Sequence, residues 1–222
     1  MRELYHYPLC AFGRQIRTYI CEKSLDVDLI IELPWERHKN FSDLHFLSDL
    51  PTLVEIDNNV FEGWYAILEY VEQAYRTSSL LGVTLKEKAE TRRIVALFNE
   101  MFYSEVTKNI VFEKVWKRYI EHTSPDSSAV RKGNSAMKKY FEYIAWLADR
   151  RNWLAGNEFS FADIVAASHI SCLDYLGSVD WSAFGEVKEW YVRVKSRPSF
   201  REILSDRIPN VMPPEYYSQL DF

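Results

Sequence analysis

The sequence lacks a long hydrophobic run and any concentration of charge of one sign. No stretch approaches the roughly 20 apolar residues that a membrane helix needs, and the opening segment, residues 1–5, lacks the apolar core of a signal peptide. Acids and bases are interleaved, with a net charge of -5 and no long basic run, so the electrostatic footprint of a nucleic-acid or anionic-membrane binder is missing. We therefore expect a cytoplasmic protein that binds neither nucleic acid nor membrane.

Cysteine is also scarce. The three cysteines, Cys10, Cys21 and Cys172, are odd in number and widely spaced, and no CxxC pair or histidine cluster accompanies them. Neither a disulfide framework nor a zinc site is supported by that spacing, so we expect no metal and a reducing compartment.

Apolar and aromatic residues are abundant. The 222 residues are 47% hydrophobic and include 7 Trp, 14 Tyr and 13 Phe, which is enough apolar surface to offset the entropy lost on folding. A prior of about 100–200 residues per domain allows one large unit or two small ones, and we favour two.

The first 76 residues alternate between strand and helix patterns. Residues 3–7 are β-prone, residues 12–23 have helical spacing, and residues 27–33 form an apolar second strand. This βαβ order predicts two parallel strands with a right-handed connection. A polar stretch at 35–49 interrupts the pattern before the next strand.

A hairpin and a helix complete this first part. Residues 52–56 and 60–61 are expected to be strands, since the Asp-Asn-Asn between them tolerates left-handed backbone angles. Apolar residues recur at helical spacing over 65–75. The first part therefore has the order βαβ-ββα.

The rest of the chain has helical periodicity. A linker is expected at 77–84, because Thr84 and Glu87 have the spacing of a capping box that begins a new helix. Clear interruptions fall only at 123–126 and 151–157. We predict four parts, which are an α/β domain, the linker, an all-helical domain and a tail: 1–76, 77–84, 85–208 and 209–222.

This order, together with three local sequences, resembles the glutathione-transferase superfamily. The first is the strand-to-helix turn at 4–17, which contains Cys10; the second is Leu50-Pro51-Thr52-Leu53. The third is Leu154-Ala155-Gly156 followed by Ser160 and Asp163, whose spacing also gives a capping box, which typically stabilises a helix by ~1 kcal/mol. The resemblance implies a thioredoxin-like α/β domain followed by an all-helical domain, the glutathione-transferase fold.

The same resemblance implies where glutathione would bind. Cys10 stands where cysteine-using members activate the glutathione thiol, and Leu50-Pro51 matches the element whose cis peptide offers backbone groups to the tripeptide. Two alternatives stay open for Cys10, a nucleophile and a small turn residue. Tyr5 and Tyr7 are either thiol-activating hydroxyls or, as we favour, packing residues.

One motif departs from glutathione-binding members. Their helix after the hairpin opens as E-S-x-A-I, whereas this chain has Gly63 in place of the acid and Trp64 in place of the serine, with Glu62 one residue early. Recognition of the charged γ-glutamyl end would lose its side-chain donors, so we expect no cofactor and weak or absent glutathione binding. Trp64 either fills the vacant pocket or staples the helix to the hairpin.

Pieces from end to end also resemble the FtsZ-localised, glutathione-transferase-like regulators of bacterial cell division. Two are distinctive, the Trp35-Glu36-Arg37 loop and the terminal Leu220-Asp221-Phe222. The others are Leu4–Leu9, Leu154–Gly156, His169–Gly177 and Lys195–Arg201. The resemblance implies a homodimer that binds FtsZ filaments at the division site without glutathione chemistry.

The same resemblance places Trp35 and Asp221 on the filament-binding surface. Trp35 stands in a polar loop with little local core to enter, and tryptophan is enriched in interface hot spots. The alternative for Trp35 is burial against the dimer mate.

Three functions therefore stay open: a non-catalytic FtsZ-binding regulator, a glutathione-dependent transferase or thiol reductase that uses Cys10, and a scaffold with another partner. We favour them in that order. Two polar residues are assigned structural roles, since His169 lies on an apolar helix face and Asp163 has the position of a cap.

Overall fold

The computed structural model describes residues 1–36, 38–44, 49–75 and 79–220, apart from the side chain of Asn40. The chain divides into two compact units, Met1–Ser79 and Leu80–Phe222. Part of the expected linker, residues 77 and 78, lies outside the described residues, as do Arg37 of the Trp35 loop and the terminal Asp221 and Phe222.

The first unit contains a mixed four-stranded sheet. Its strands are β1 (Glu3–His6), β2 (Asp28–Ile31), β3 (Thr52–Val54) and β4 (Val60–Glu62), in the order β2-β1-β3-β4. β1 and β2 are parallel, while β3 is antiparallel to both β1 and β4. The hairpin turn includes Asn58 at a φ of 64°. The expected βαβ-ββα order is confirmed.

In the described part of this unit, three helices accompany the sheet: α1 (Ala11–Glu22), α2 (Lys39–Ser42) and α3 (Trp64–Ala74). The short α2 lies in the polar stretch for which no element was expected. Its Phe41 is buried and stacks on Tyr5 with ring centroids 5.2 Å apart. One buried residue in a single helical turn gives no periodicity from which a helix can be predicted.

The second unit is helical, as expected. Its α-helices are α4 (Leu85–Ala96), α5 (Lys108–Val111), α6 (Lys117–Ile120), α7 (Ser127–Ala148), α8 (Phe161–Tyr175), α9 (Gly185–Lys195) and α10 (Pro198–Leu204). Helical backbone continues from α4 to α6 through two π-helical segments, Leu97–Thr107 and Phe112–Trp116. Single-turn 3-10 helices occur at Trp181–Ala183 and Glu215–Ser218.

The expectation of only two interruptions was wrong. The chain also leaves helical structure between α8 and α9 and again after α10. α8 is buried along its whole length, which makes it the centre of this unit. None of the helices in the described part of the chain is both long and apolar enough to cross a membrane.

Both expected capping boxes are present. At α4, Thr84 Oγ1 accepts the Glu87 amide at 3.2 Å, and Glu87 Oε2 accepts the Thr84 amide at 2.9 Å. At α8, one Asp163 oxygen accepts the amide of Ser160 at 3.1 Å. The other accepts the Leu154 amide at 2.9 Å and Trp190 Nε1 at 3.0 Å, so this buried box also joins α8 to α9.

Candidate functional site

Cys10 stands at the junction between β1 and α1. It occupies the N-cap position of α1, where its amide donates to Tyr7 O at 3.0 Å and its carbonyl accepts the Arg14 amide at 2.9 Å. The side chain of Arg14 is fully buried and its Nε donates to Pro8 O at 2.7 Å, which fixes the turn that carries the cysteine.

The surroundings of the Cys10 thiol disfavour its reactive form. Burial raises the pKa of Cys10, and the nearby Asp49 carboxylate acts in the same direction. The amides of Gly13 and Phe12 and the Arg14 guanidinium lower the pKa without compensating. Since the thiolate is the nucleophile, the helix start that carries Cys10 holds it mainly as a thiol at neutral pH.

The Leu50-Pro51 peptide bond is cis. Its segment is tied to the end of β4, because the Asp49 amide donates to Glu62 Oε1 at 3.1 Å and the Gly63 amide donates to Pro51 O at 2.9 Å. Glu62, which stood one residue early as a substitute for the missing acid, therefore orders the chain before the cis bond. Leu50, Pro51 and Gly63 therefore lie close together in the first unit.

The start of α3 lacks the acid and the serine whose side chains would bind a carboxylate, because Gly63 and Trp64 stand at those positions. Gly63 is the N-cap with a φ of 78°, in the left-handed region that glycine favours, and it offers no side-chain cap. Trp64 is half-buried, and its ring lies edge-on to Tyr65 with centroids 5.5 Å apart. The rings of Phe61 and Tyr70 tie the hairpin to this helix, stacked with their centroids 3.9 Å apart. Gly63 and Trp64 thus offer backbone amides but no side-chain hydroxyl for a carboxylate.

The Trp35 loop follows β2. Trp35 is half-buried and its ring lies edge-on to that of the buried Tyr7, with centroids 5.3 Å apart. The expectation that Trp35 has little local core to enter was therefore wrong. Tyr7 follows the last residue of β1, so the contact joins two strand ends that are distant in sequence. Part of the indole remains exposed.

A buried carboxylate closes this loop. Glu32 Oε1 accepts the His38 amide at 3.0 Å, and Glu32 Oε2 lies 3.0 Å from His38 Nδ1. The Glu32 amide donates to His6 O at 2.9 Å, so the loop is fastened to the sheet. The hydrogen bond from His38 to Glu32, with the charge of that carboxylate, raises the pKa of the exposed His38. Sequence reasoning missed this pair, because a Glu and a His six residues apart match no local motif.

The hydrogen bonds of Tyr5 and His169 indicate the roles of these two residues. Tyr5 donates its hydroxyl to Glu3 at 3.0 Å and stacks on α2, which is a packing role. His169 is fully buried, with Nδ1 at 2.9 Å from Thr107 Oγ1 and Nε2 at 2.9 Å from Asn99 Oδ1. The prediction of a hydrogen-bonded core histidine is confirmed.

Asp221 lies outside the described residues, and Leu220 is the last residue described before it. The segment that leads to it is docked on the helical unit, and Tyr217 is almost fully buried. The structure thus brings Cys10, Leu50, Pro51 and Trp64 into one region of the first unit, and Trp35 is presented from the end of β2 in that unit.

Two domain families match the chain. The glutathione S-transferase N-terminal domain matches residues 4–79, and the glutathione S-transferase C-terminal domain matches residues 107–198. The matched ranges fall in the α/β unit and the helical unit, and the expected fold class is confirmed.

Similarity to individual proteins extends over the full chain. FtsZ-localized protein A of Caulobacter vibrioides is 39% identical over 224 residues, which cover 100% of this chain and 98% of that protein. The solved structure of FzlA from C. crescentus superposes with a TM-score of 0.95 at 39% identity, covering 100% of this chain and 99% of that one. A glutathione S-transferase from Rhodospirillum rubrum F11 gives a TM-score of 0.96 at 44% identity, with both chains covered completely.

Proposed function

We propose that this chain, which belongs to the glutathione S-transferase superfamily, binds FtsZ filaments in bacterial cell division and does so without glutathione chemistry. One observation carries the proposal, the similarity to FtsZ-localized protein A over the whole length of both chains. The similarity covers both units, so the proposal applies to the whole chain and not to one unit alone.

The geometry of the glutathione-binding region supports the second half of the proposal. Cys10 has a raised pKa, and the helix that would hold the γ-glutamyl end begins with Gly63 and Trp64. A charged group left without a partner costs on the order of 1–3 kcal/mol or more, which a small polar ligand cannot recover elsewhere.

The Trp35 loop supports the first half. A half-exposed indole, held by Tyr7 and by the Glu32–His38 closure, is an ordered aromatic group of the kind that anchors interfaces. Ordering before binding reduces the entropy lost when the partner docks.

The proposal predicts that the chain pellets with GTP-assembled FtsZ filaments. Trp35→Glu and Asp221→Lys should each weaken this binding about 30-fold, the loss expected at a hot spot. The matched controls are Trp146→Glu, at a tryptophan that is 49% exposed in the helical unit, and Asp26→Lys, at an exposed aspartate. Binding at the unmodified level in both Trp35→Glu and Asp221→Lys would contradict the assigned surface.

A second candidate function is a glutathione-dependent transferase or thiol reductase that uses Cys10. The amides of Phe12 and Gly13 at the start of α1 favour it, because they stabilise a thiolate. Isothermal titration with glutathione and turnover of a disulfide or electrophile, compared in the unmodified chain and Cys10→Ser, test it. Micromolar affinity together with activity lost in Cys10→Ser would replace our proposal by this one.

We also propose that the protein is a cytoplasmic homodimer that gathers at the division site, as the resemblance implies. Light scattering after size exclusion should give twice the chain mass, and a fluorescent fusion should form a midcell band. A monomer, or diffuse fluorescence in dividing cells, would contradict this part.

A further inference from the structure

The chain after α10 is held on the helical unit by the hydroxyl of Tyr175. This fully buried residue, the last of α8, donates to Val211 O at 2.8 Å and accepts the Ile208 amide at 2.9 Å. The Tyr217 ring lies edge-on to the Tyr175 ring, with centroids 5.2 Å apart. We call residues 208–220 the C-terminal segment, and Tyr175 fixes it at both Val211 and Tyr217.

A buried lysine makes the last of these attachments. Lys195 Nζ donates to Tyr217 O at 2.9 Å, and its side chain is 0% exposed. Its position is held by Asp174, whose Oδ2 lies 3.9 Å away and which accepts Trp181 Nε1 at 2.8 Å and Tyr191 OH at 3.3 Å. Burial of the Lys195 and Asp174 charges is unfavourable unless their geometry is fixed. We therefore expect this pair to specify one position for the Tyr217 carbonyl.

The turn after α8 provides room for the same segment. Gly177 has a φ of 59°, and a Cβ there would lie 3.2 Å from Pro214 Cγ. Glycine is favoured by both the backbone angle and the close approach. Asp174, Tyr175 and Gly177 belong to one of the sequence pieces that carry the resemblance, and Lys195 opens another.

We infer that Lys195 is a positioning residue for partner recognition: with Asp174 and Tyr175 it holds the C-terminal segment, which leads directly to Asp221, the residue proposed above to contact the filament. The inference rests on the proposed function. It adds a role for residues that are buried and never touch the partner.

Chain length indicates the size of the effect. Asp221 follows Tyr217 by four residues in the sequence, and four residues of extended chain span at most about 14 Å. If the segment were held only at Val211, ten residues would separate Asp221 from the attachment, a reach of about 35 Å. The accessible volume grows roughly 16-fold, and the effective concentration of the recognition residues falls accordingly.

The charge state of Lys195 is compatible with this role. Burial lowers the pKa of Lys195 to about 8, while the Asp174 carboxylate opposes the change. The ammonium is therefore still the main form at neutral pH, and its bond to Tyr217 O is charge-assisted.

Two variants test the anchor, by which we mean the contacts of Lys195 and Tyr175 with Tyr217. One variant changes the helical unit and the other changes the C-terminal segment. Lys195→Met removes the ammonium from α9, and Tyr217→Ala removes the ring from the C-terminal segment while the helices keep their own side chains. Lys138→Met, at an exposed lysine of α7, is the control. Hydrogen exchange of peptides from 206–219 and from α8 is followed by mass spectrometry, and each protein is pelleted with GTP-assembled FtsZ filaments.

We expect exchange in 206–219 to rise about tenfold in both variants while α8 keeps its protection, as for local opening of one segment. Filament affinity should fall about tenfold, and Lys138→Met should match the unmodified chain. If Lys195→Met also loses protection in α8, that variant unfolds more than the segment, and only Tyr217→Ala is used to judge how the segment is attached.

Unchanged protection of 206–219 in Lys195→Met would overturn the role of Lys195 in the anchor, and unchanged protection in Tyr217→Ala would overturn the contribution of the Tyr217 ring. Loss of that protection with unmodified filament binding would overturn its role in recognition. If the unmodified chain does not pellet at all, the proposed function fails and the role in recognition fails with it, whereas the exchange data still judge the anchor.

Discussion

At Cys10, burial and the helix start act on the thiol in opposite directions. Amides at the N-terminus of α1 stabilise an anion, but loss of solvent raises the pKa further than the amides lower it. The sequence shows the helix start and the cysteine. It does not show how deeply the sulfur is buried. Of the two charged neighbours, Arg14 lies one helical turn away, but Asp49 comes from a distant part of the chain.

Alkylation of Cys10 should therefore rise with pH and continue to rise beyond pH 9. Iodoacetamide labelling, quantified by mass spectrometry of the peptide between pH 6 and 10, measures this. The buried Cys172 is an internal reference for loss of fold, since it should react only after unfolding. A Cys10 rate that is constant between pH 6 and 8 would show a thiolate and would favour catalysis.

His169 is a second residue whose environment sets its chemistry. Burial lowers its pKa to about 3, and its two ring nitrogens bond to Thr107 and Asn99 on the π-helical segment. His6 is likewise buried, with a pKa lowered to about 3 by burial and by Arg17 and Arg14. Between pH 6.5 and about 3 the unfolded chain binds more protons at these residues than the folded one, so stability falls as the pH falls.

The free energy of unfolding should drop by about 1 kcal/mol for each of these two histidines between pH 7.5 and 5.5. In His169→Gln, one of the two contributions disappears, so the difference between the two pH values should be about 1 kcal/mol smaller. Urea unfolding at both pH values measures it. His122→Gln, at an exposed histidine, is the control and should keep the original difference. An undiminished difference in His169→Gln would contradict the neutral buried imidazole.

At the scale of helices, two capping boxes of the same sequence type have different surroundings. The box at α4 is exposed, whereas Asp163 at α8 is fully buried and also holds Leu154 and Trp190. Burial raises the pKa of Asp163 even though these hydrogen bonds lower it. The spacing predicts both boxes, but only the structure shows the added contacts.

Asp163→Ala should destabilise the protein by about 4 kcal/mol, because the amides of Leu154 and Ser160 and the indole of Trp190 lose their acceptor inside the core. Glu87→Ala should cost only about 1 kcal/mol. Urea unfolding of the two variants gives the comparison. Equal losses would show that the Asp163 network adds nothing beyond an ordinary cap.

Other elements show where local patterns stop being informative. The βαβ-ββα order and α8 follow from periodicity and caps, whereas the π-helical segments do not, since over a few turns their apolar spacing resembles that of an α-helix. The packing of Trp35 on Tyr7 joins residues 28 positions apart, which no local pattern predicts. Lys195 had a local signal that went unused, because it continues the buried face of α9 formed by Val187, Tyr191 and Val194.

At the scale of the molecule, the residues that define the fold and those that would bind glutathione are separable. The sheet order, the cis Leu50-Pro51 bond and the Asp163 network are retained, while the start of α3 has lost the side chains of the glutathione grip. The βαβ-ββα order and the Asp163 cap could be predicted from periodicity and spacing, whereas the isomer of the Leu50-Pro51 bond could not, because the sequence alone does not show it. The Glu32–His38 closure matches no local motif, and the C-terminal anchor depends on contacts between residues distant in the sequence, so neither could be predicted.

Filament binding that is independent of thiol chemistry is the central claim. The most direct measurement is co-sedimentation with GTP-assembled FtsZ filaments of the unmodified chain and of Cys10→Ala, each with and without excess reduced glutathione. We predict the same binding curve in all four cases. No pelleting of the unmodified chain, or pelleting that needs glutathione or is lost in Cys10→Ala, would contradict the account.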